Sequence, residues 1–129
     1  MPAMQKINCG LAAALLIATL ISATAFAQAY PSKPIRMMVP AAPGGVTDVV
    51  ARAIAPQLTE MLGQSIIVDN RSGAGGIPGT DTVAKASPDG YTLLAVFDSF
   101  ISNPHVFGAA PYDTIKDFAP VSLLIRGPQ

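Results

Sequence analysis

Strand-like and helix-like hydrophobic patterns alternate along this chain. After an extended lead-in marked by Pro31 and Pro34, residues 35–39 form a nearly continuous apolar run ending at Pro40. Such a run predicts a short strand buried on both faces. Val50, Ile54, Leu58, Met61 and Leu62 then recur at three- and four-residue spacings, which places one apolar stripe on a helix. Thr47 or Asp48 is the expected N-cap of that helix and Gly63 its stop, while Pro56 inside it should bend it or cost it a hydrogen bond. A second strand is predicted over 66–68, a short helix over 80–86 and a third strand over 91–96. Ser87-Pro88-Asp89-Gly90 between them is a turn. Residues 98–104 read as a polar loop, 114–118 as a single helical turn, and 119–125 as a last strand broken by 126–129.

Alternation with connections too long for hairpins predicts an α/β fold, a parallel sheet with flanking helices and right-handed crossovers. In such sheets the loops at the carboxyl ends of the strands share one edge, where ligands bind. Three polar loops would meet there. The first, Pro40-Ala41-Ala42-Pro43-Gly44-Gly45-Val46-Thr47-Asp48, is glycine-rich and opens a helix. The second, Asn70-Arg71-Ser72-Gly73-Ala74-Gly75-Gly76-Ile77-Pro78-Gly79, does the same. The third carries Ser99, Ser102 and Asn103. Glycine admits a ligand close to the backbone, and the unpaired N–H groups of a first helical turn attract an anion.

Each of these features has a plainer reading beside the functional one. Gly44, Gly45 and Thr47 could cradle a carboxylate or form a tight turn with a cap, and the residues alone leave both open. Asp48 suits a cap and positioning group better than an anion's ligand, because like charges repel. The second loop fails the G-x-G-x-x-G dinucleotide spacing, since Pro78 stands where the third glycine belongs, and no Gly-Lys-Ser/Thr phosphate loop is present. Ser99, Ser102 and Asn103 could bind a ligand or cap a loop before Pro104. Arg71 could pair with a carboxylate, though a solvated loop arginine accounts for it equally well. His105 is the sole histidine and has no cysteine or carboxylate at metal-ligand spacing. Ser99 lacks a nucleophile-elbow pattern. No catalytic set, metal or cofactor is expected.

The N-terminus decides the compartment. Lys6 precedes an apolar run over 11–21, followed by Ala25-Phe26-Ala27 and Ala27-Gln28-Ala29, overlapping A-x-A sites. This is the order of a cleavable signal peptide over residues 1–27. The apolar run is shorter than the roughly 20 residues a bilayer-spanning helix needs. Cys9, the only cysteine, precedes the run, which argues against a lipoprotein and leaves the mature chain with no disulfide. Cleavage leaves 7 Lys and Arg against 8 Asp and Glu, a balance that gives no reason to expect nucleic acid as a partner. The mature part, 28–129, is about 100 residues long and ends on a predicted strand without a closing helix. It therefore reads as the front portion of a larger protein.

The motifs also carry a resemblance. Tyr30-Pro31-x-Lys33-Pro34-Ile35, Pro43-Gly44-Gly45-x-Thr47-Asp48, Leu62-Gly63-Gln64 and Asn70-Arg71-x-Gly73-Ala74-Gly75-Gly76 are followed by Val83-Ala84-Lys85-Ala86. Pro88-Asp89-Gly90-Tyr91-Thr92-Leu93-Leu94, Asn103-Pro104, Tyr112-Asp113 and Asp117-Phe118-Ala119-Pro120-Val121 complete the series. Together they resemble the periplasmic solute receptors of tripartite tricarboxylate transporters, the Bug family. The resemblance implies the first lobe of a type II periplasmic-binding-protein-like fold, with residues 28–129 as its N-terminal portion and the second lobe absent. It further implies a monomeric receptor, not an enzyme, that captures a small carboxylic acid and delivers it to a permease of two integral subunits. Carried onto this chain, Ala41, Gly44, Gly45, Thr47, Asp48, Ser99, Ser102 and Asn103 would line the ligand, with Gly75 and Gly76 as further candidates. Ala41 stands where an aromatic residue is common in the family, which implies a wider or less apolar wall. An exported α/β enzyme with a glycine-loop phosphate or nucleotide site, or a truncated product without function, are the alternatives.

Overall fold

The computed structural model describes residues 29–108 and 110–126. The leader expected over 1–27 lies outside the described residues. The chain divides into two units, Met1–Tyr30 and Pro31–Gln129, and the second carries the fold. Its elements run in the order β1 (Ile35–Val39), α1 (Val46–Leu62), β2 (Ile66–Asn70), a 3-10 turn (Ala74–Gly76), α2 (Ile77–Ala84), β3 (Thr92–Leu94) and α3 (Ser99–Val106).

The three strands form one parallel sheet in the order β2-β1-β3, so the predicted α/β class holds. Ile35 pairs with Ile66 and Val39 with Asn70 on one side, while Arg36 pairs with Thr92 and Met38 with Leu94 on the other. β1 is the central strand, and its sequence shows why. Ile35, Met37, Met38 and Val39 are all buried, and because side chains alternate across a strand, both faces of β1 are covered. Arg36 is its one exposed residue. The parallel register brings Arg36 diagonally beside Asp69 on the same face, where the guanidinium and carboxylate pair.

α1 covers the face carrying Met37 and Val39. Ala51 and Ala55 are its buried apolar residues, and their small side chains let the helix lie close to the sheet, with Ile54 and Leu58 packed around them. This corrects the expected stripe, because Met61 is 81% exposed and lies outside the buried face. The N-cap is also two to three residues earlier than expected: Gly45 occupies it, with no side-chain capping bond. The helix continues through Pro56. It ends as predicted at Gly63, whose left-handed backbone (φ 68°) returns its N–H to the Thr59 carbonyl. The Thr59 hydroxyl then accepts the Ile66 N–H and aligns the start of β2.

Three other expectations change. The 98–104 loop is helical, because α3 spans Ser99–Val106 with Pro104 inside it. Tertiary contacts hold it: Phe100 stacks with Tyr112 and meets Phe118 edge to face, with centroids 6.3 and 5.2 Å apart. The third strand shortens to Thr92–Leu94. Residues 119–125 form no strand, and Val121 is 84% exposed. Their apolar character is real, but a strand also needs a hydrogen-bonding neighbour. The 114–118 turn does form, nucleated by Asp113. Its carboxylate accepts the Ile115 and Lys116 N–H groups while its carbonyl accepts from Asp117, and these donors hold its pKa below the ordinary value.

Candidate functional site

The first crossover runs from β1 to β2 on one side, and the second runs from β2 back past β1 to β3 on the other. The carboxyl edge between β1 and β3 is therefore the topological switch point, the place where open parallel sheets leave a crevice. A shallow crevice of about 40 Å³ lies there. This is far below the roughly 300–1,000 Å³ typical of complete ligand sites, so these residues enclose room only for the polar tip of a small molecule. The loop after β1 contributes Pro40 and Ala41, the first turn of α1 Thr47, and the second loop with α2 Gly75 and Thr80. Ala95, Val96 and Phe97 follow β3, and α3 adds Ser99, Phe100 and Asn103.

Of the residues singled out by sequence, Ala41, Thr47, Gly75, Ser99 and Asn103 meet in this cleft. The other five stand outside its lining. Ser102 is exposed and its hydroxyl bonds the Ser99 carbonyl. Gly76 is buried where an added Cβ would stand 2.5 Å from the Pro40 carbonyl oxygen, so its missing side chain serves backbone packing. Gly79 has the same role, 2.8 Å from the Arg71 carbonyl oxygen.

The first loop is organised from beneath. Asp48 is 3% exposed. Its carboxylate accepts the Gly44 N–H at 2.8 Å, the Arg52 Nε at 2.9 Å and the Asn70 amide at 2.9 Å. The Gly44 N–H foremost, then Arg52 and Asn70, hold its pKa at about 2. The Gly45 N–H is bonded to the Ala42 carbonyl. Both glycine amides of the loop therefore have internal partners. The donors outside the helix ladder are those of the first turn, at Val46, Thr47 and Asp48. The positive end of the helix dipole adds to their pull on an anion.

Neutral groups dominate the polar side of the cleft: Thr47, Thr80, Ser99 and Asn103. Among the described residues no Lys or Arg lines it. Arg71 instead donates to the Thr82 hydroxyl at 2.6 Å. Val96, Phe97 and Phe100 form an apolar wall. Such a surface suits a carboxylate on a short carbon chain. Among the described residues no three His, Cys, Asp or Glu side chains are grouped to hold a metal ion. Nor is any helix among them long and apolar enough to cross a membrane.

Thr80, Phe97 and Phe100 went unread in the sequence. Phe97 carried a usable signal, because a residue just beyond an apolar strand run must sit at the ligand edge of a parallel sheet. Thr80 and Phe100 carried none, since the packing of α2 and α3 decides where they point.

The comparisons with known proteins agree with this geometry. Residues 50–129 match the model of the tripartite tricarboxylate transporter family receptor. The chain is 47% identical to protein BugT of Bordetella pertussis over 109 residues, 81% of this chain and 32% of that protein. It is 42% identical over 125 residues to a protein of Agrobacterium vitis encoded in the TAR-I ttuE-ttuC' intergenic region, covering 96% of this chain and 36% of the other. Among solved structures, MatC from Rhodopseudomonas palustris with bound malate aligns with a TM-score of 0.68 at 40% identity, over 74% of this chain and 33% of that one. A periplasmic transporter structure aligns with a TM-score of 0.65 at 48% identity, over 68% and 30%. The matched family is one of transporter receptors, not of enzymes. The chain belongs to the tripartite tricarboxylate transporter receptor family. It spans about a third of the length of the curated relatives it matches.

Proposed function

We propose that this chain forms one wall of the ligand cleft in a periplasmic receptor for a small carboxylic acid. The observation that carries the reading is the junction of the first turn of α1 with the β3–α3 segment, where Thr47 and Ser99 face an apolar wall. A carboxylate held there takes its hydrogen bonds from neutral donors and the helix dipole. Malate, bound in the relative MatC, has the required chemistry: carboxylates on a short chain. The leader over 1–27 directs export to the periplasm, and delivery to the two integral subunits of a tripartite transporter completes the role. In a two-lobed receptor this unit supplies half of the contacts, and closure of the second lobe over the ligand completes them. Among the outlined alternatives, a phosphate-binding enzyme is disfavoured by the family and by Pro78, which breaks the dinucleotide spacing.

The test is a thermal-shift screen of the mature chain against di- and tricarboxylates, aromatic acids and inorganic phosphate. A ligand that binds only the folded state raises the melting temperature with occupancy. A shift with a carboxylate and none with phosphate supports the reading. A shift with phosphate alone, or turnover of any acid, contradicts it.

A further inference from the structure

Asn70 ends β2 and does not line the cleft, yet its side chain reaches the ligand loop at two points. Its amide nitrogen donates to the Ala41 carbonyl at 3.3 Å and to Asp48 Oδ1 at 2.9 Å, while its Oδ1 accepts from Arg52 Nη2 at 2.7 Å. That orientation is forced, because a guanidinium can only donate and a carboxylate can only accept. The second carboxylate oxygen of Asp48 takes the Gly44 N–H. The 41–45 loop is thus fastened near both ends, at Ala41 directly by Asn70 and at Gly44 through Asp48.

Within the loop the Gly45 N–H closes the turn on the Ala42 carbonyl and Ala41 packs against the core, but Gly44, at φ +81°, has open space where a Cβ would stand and depends on its hydrogen bond to Asp48. We propose that Asn70 is a positioning residue of the carboxylate cleft, fixing the 41–45 loop and turning the Asp48 carboxylate inward so that the first-turn amides of α1 stay open to the ligand. The inference rests on the carboxylate reading given above. Without Asn70 the carboxylate keeps only the Gly44 N–H and Arg52 Nε, a weaker hold against turning toward the amides at its own helix N-terminus. There it would occupy the anion's donors and repel the anion itself.

The experiment compares the protein with its Asn70→Ala and Asn70→Asp variants. The second keeps the side-chain volume but replaces the amide donor with an acceptor. Amide hydrogen exchange is read at Gly44 and, as a control in the core, at Met38, and affinity for malate is measured by calorimetry. The expected result is exchange at Gly44 faster by at least fivefold with Met38 unchanged, and malate affinity lower by at least fivefold, in both variants. Unchanged exchange and affinity in either folded variant would overturn the proposal. So would equal acceleration at Gly44 and Met38, which marks a general loss of stability. Should the unsubstituted protein bind no carboxylate, the reading of the cleft fails, and exchange at Gly44 alone then decides whether Asn70 holds the loop.

Discussion

The side-chain amide of Asn103 donates to the backbone carbonyl of Gly75, tying α3 to the second glycine loop across the mouth of the cleft. Gly75 has a positive φ of 65°, and a Cβ built on it would stand 2.5 Å from the Phe107 ring. Glycine at 75 is thus favoured by its backbone, and any side chain there must also displace the half-exposed Phe107 ring. Gly75→Ala should cost about 1–3 kcal/mol, the range for strained non-glycine backbone. Adding Phe107→Ala should recover the part due to the ring clash, leaving the backbone part. Urea denaturation of the two single variants and the double variant measures this coupling.

Gly76 and Gly63 separate conformation from contact. Both have positive φ, but a Cβ at Gly63 meets nothing within 4 Å, while one at Gly76 meets the Pro40 carbonyl oxygen at 2.5 Å. Gly63→Ala should cost about 1 kcal/mol. Gly76→Ala should cost clearly more, because a backbone oxygen cannot rotate away as a side chain can. Equal urea midpoints for the two variants would refute the packing role assigned to Gly76.

The acid limb of the stability curve should report Asp48. Its folded pKa of about 2 lies below the ordinary 3.8. A depressed carboxyl pKa gives stability that is fully present above the unfolded value and is lost as pH falls through the folded one. The urea midpoint should therefore drop between pH 4 and pH 2. Asp89 and Asp113, also lowered, add to the drop in the same direction. Asp48→Asn should be less stable at pH 6 and should show a shallower acid limb.

Core and surface methionines should differ sharply. Met38 is 0% exposed in the central strand, whereas Met61 lies at the exposed end of α1. Met38→Ala should cost about 2–5 kcal/mol, and Met61→Ala should stay within about 0.5 kcal/mol of the unsubstituted protein. Thermal or urea melts of the pair check that the buried face of α1 centres on Ala51 and Ala55.

The parts legible in the sequence were those fixed by local pattern. β1 appears over the residues that its apolar run marks, and Gly63 ends α1 because no other residue type adopts the left-handed cap so cheaply. The parts that were not legible depend on neighbours. Ser99, Asn103 and Pro104 suggested a loop, but Phe100, packed on Tyr112 and Phe118, holds the segment as a helix. Residues 119–125 have a strand's composition without a paired strand beside them. The glycines of the second loop illustrate the same limit at the site. Sequence shows that the backbone must come close to something, but only the fold shows that at Gly76 and Gly79 the neighbour is Pro40 and Arg71. In the first loop, Asp48 occupies the Gly44 amide and the Ala42 carbonyl the Gly45 amide, so the free donors begin two residues later than the glycine pattern suggested.

The most direct measurement is a nuclear magnetic resonance titration of the mature chain with malate, following backbone amides. The account predicts saturable shifts concentrated at Val46, Thr47 and Asp48, with smaller ones at Gly75 and Ser99, and none along the Pro56 and Thr59 side of α1. Shifts confined to that outer side, or absent from the first turn of α1 while malate binds, would contradict the placement of the ligand.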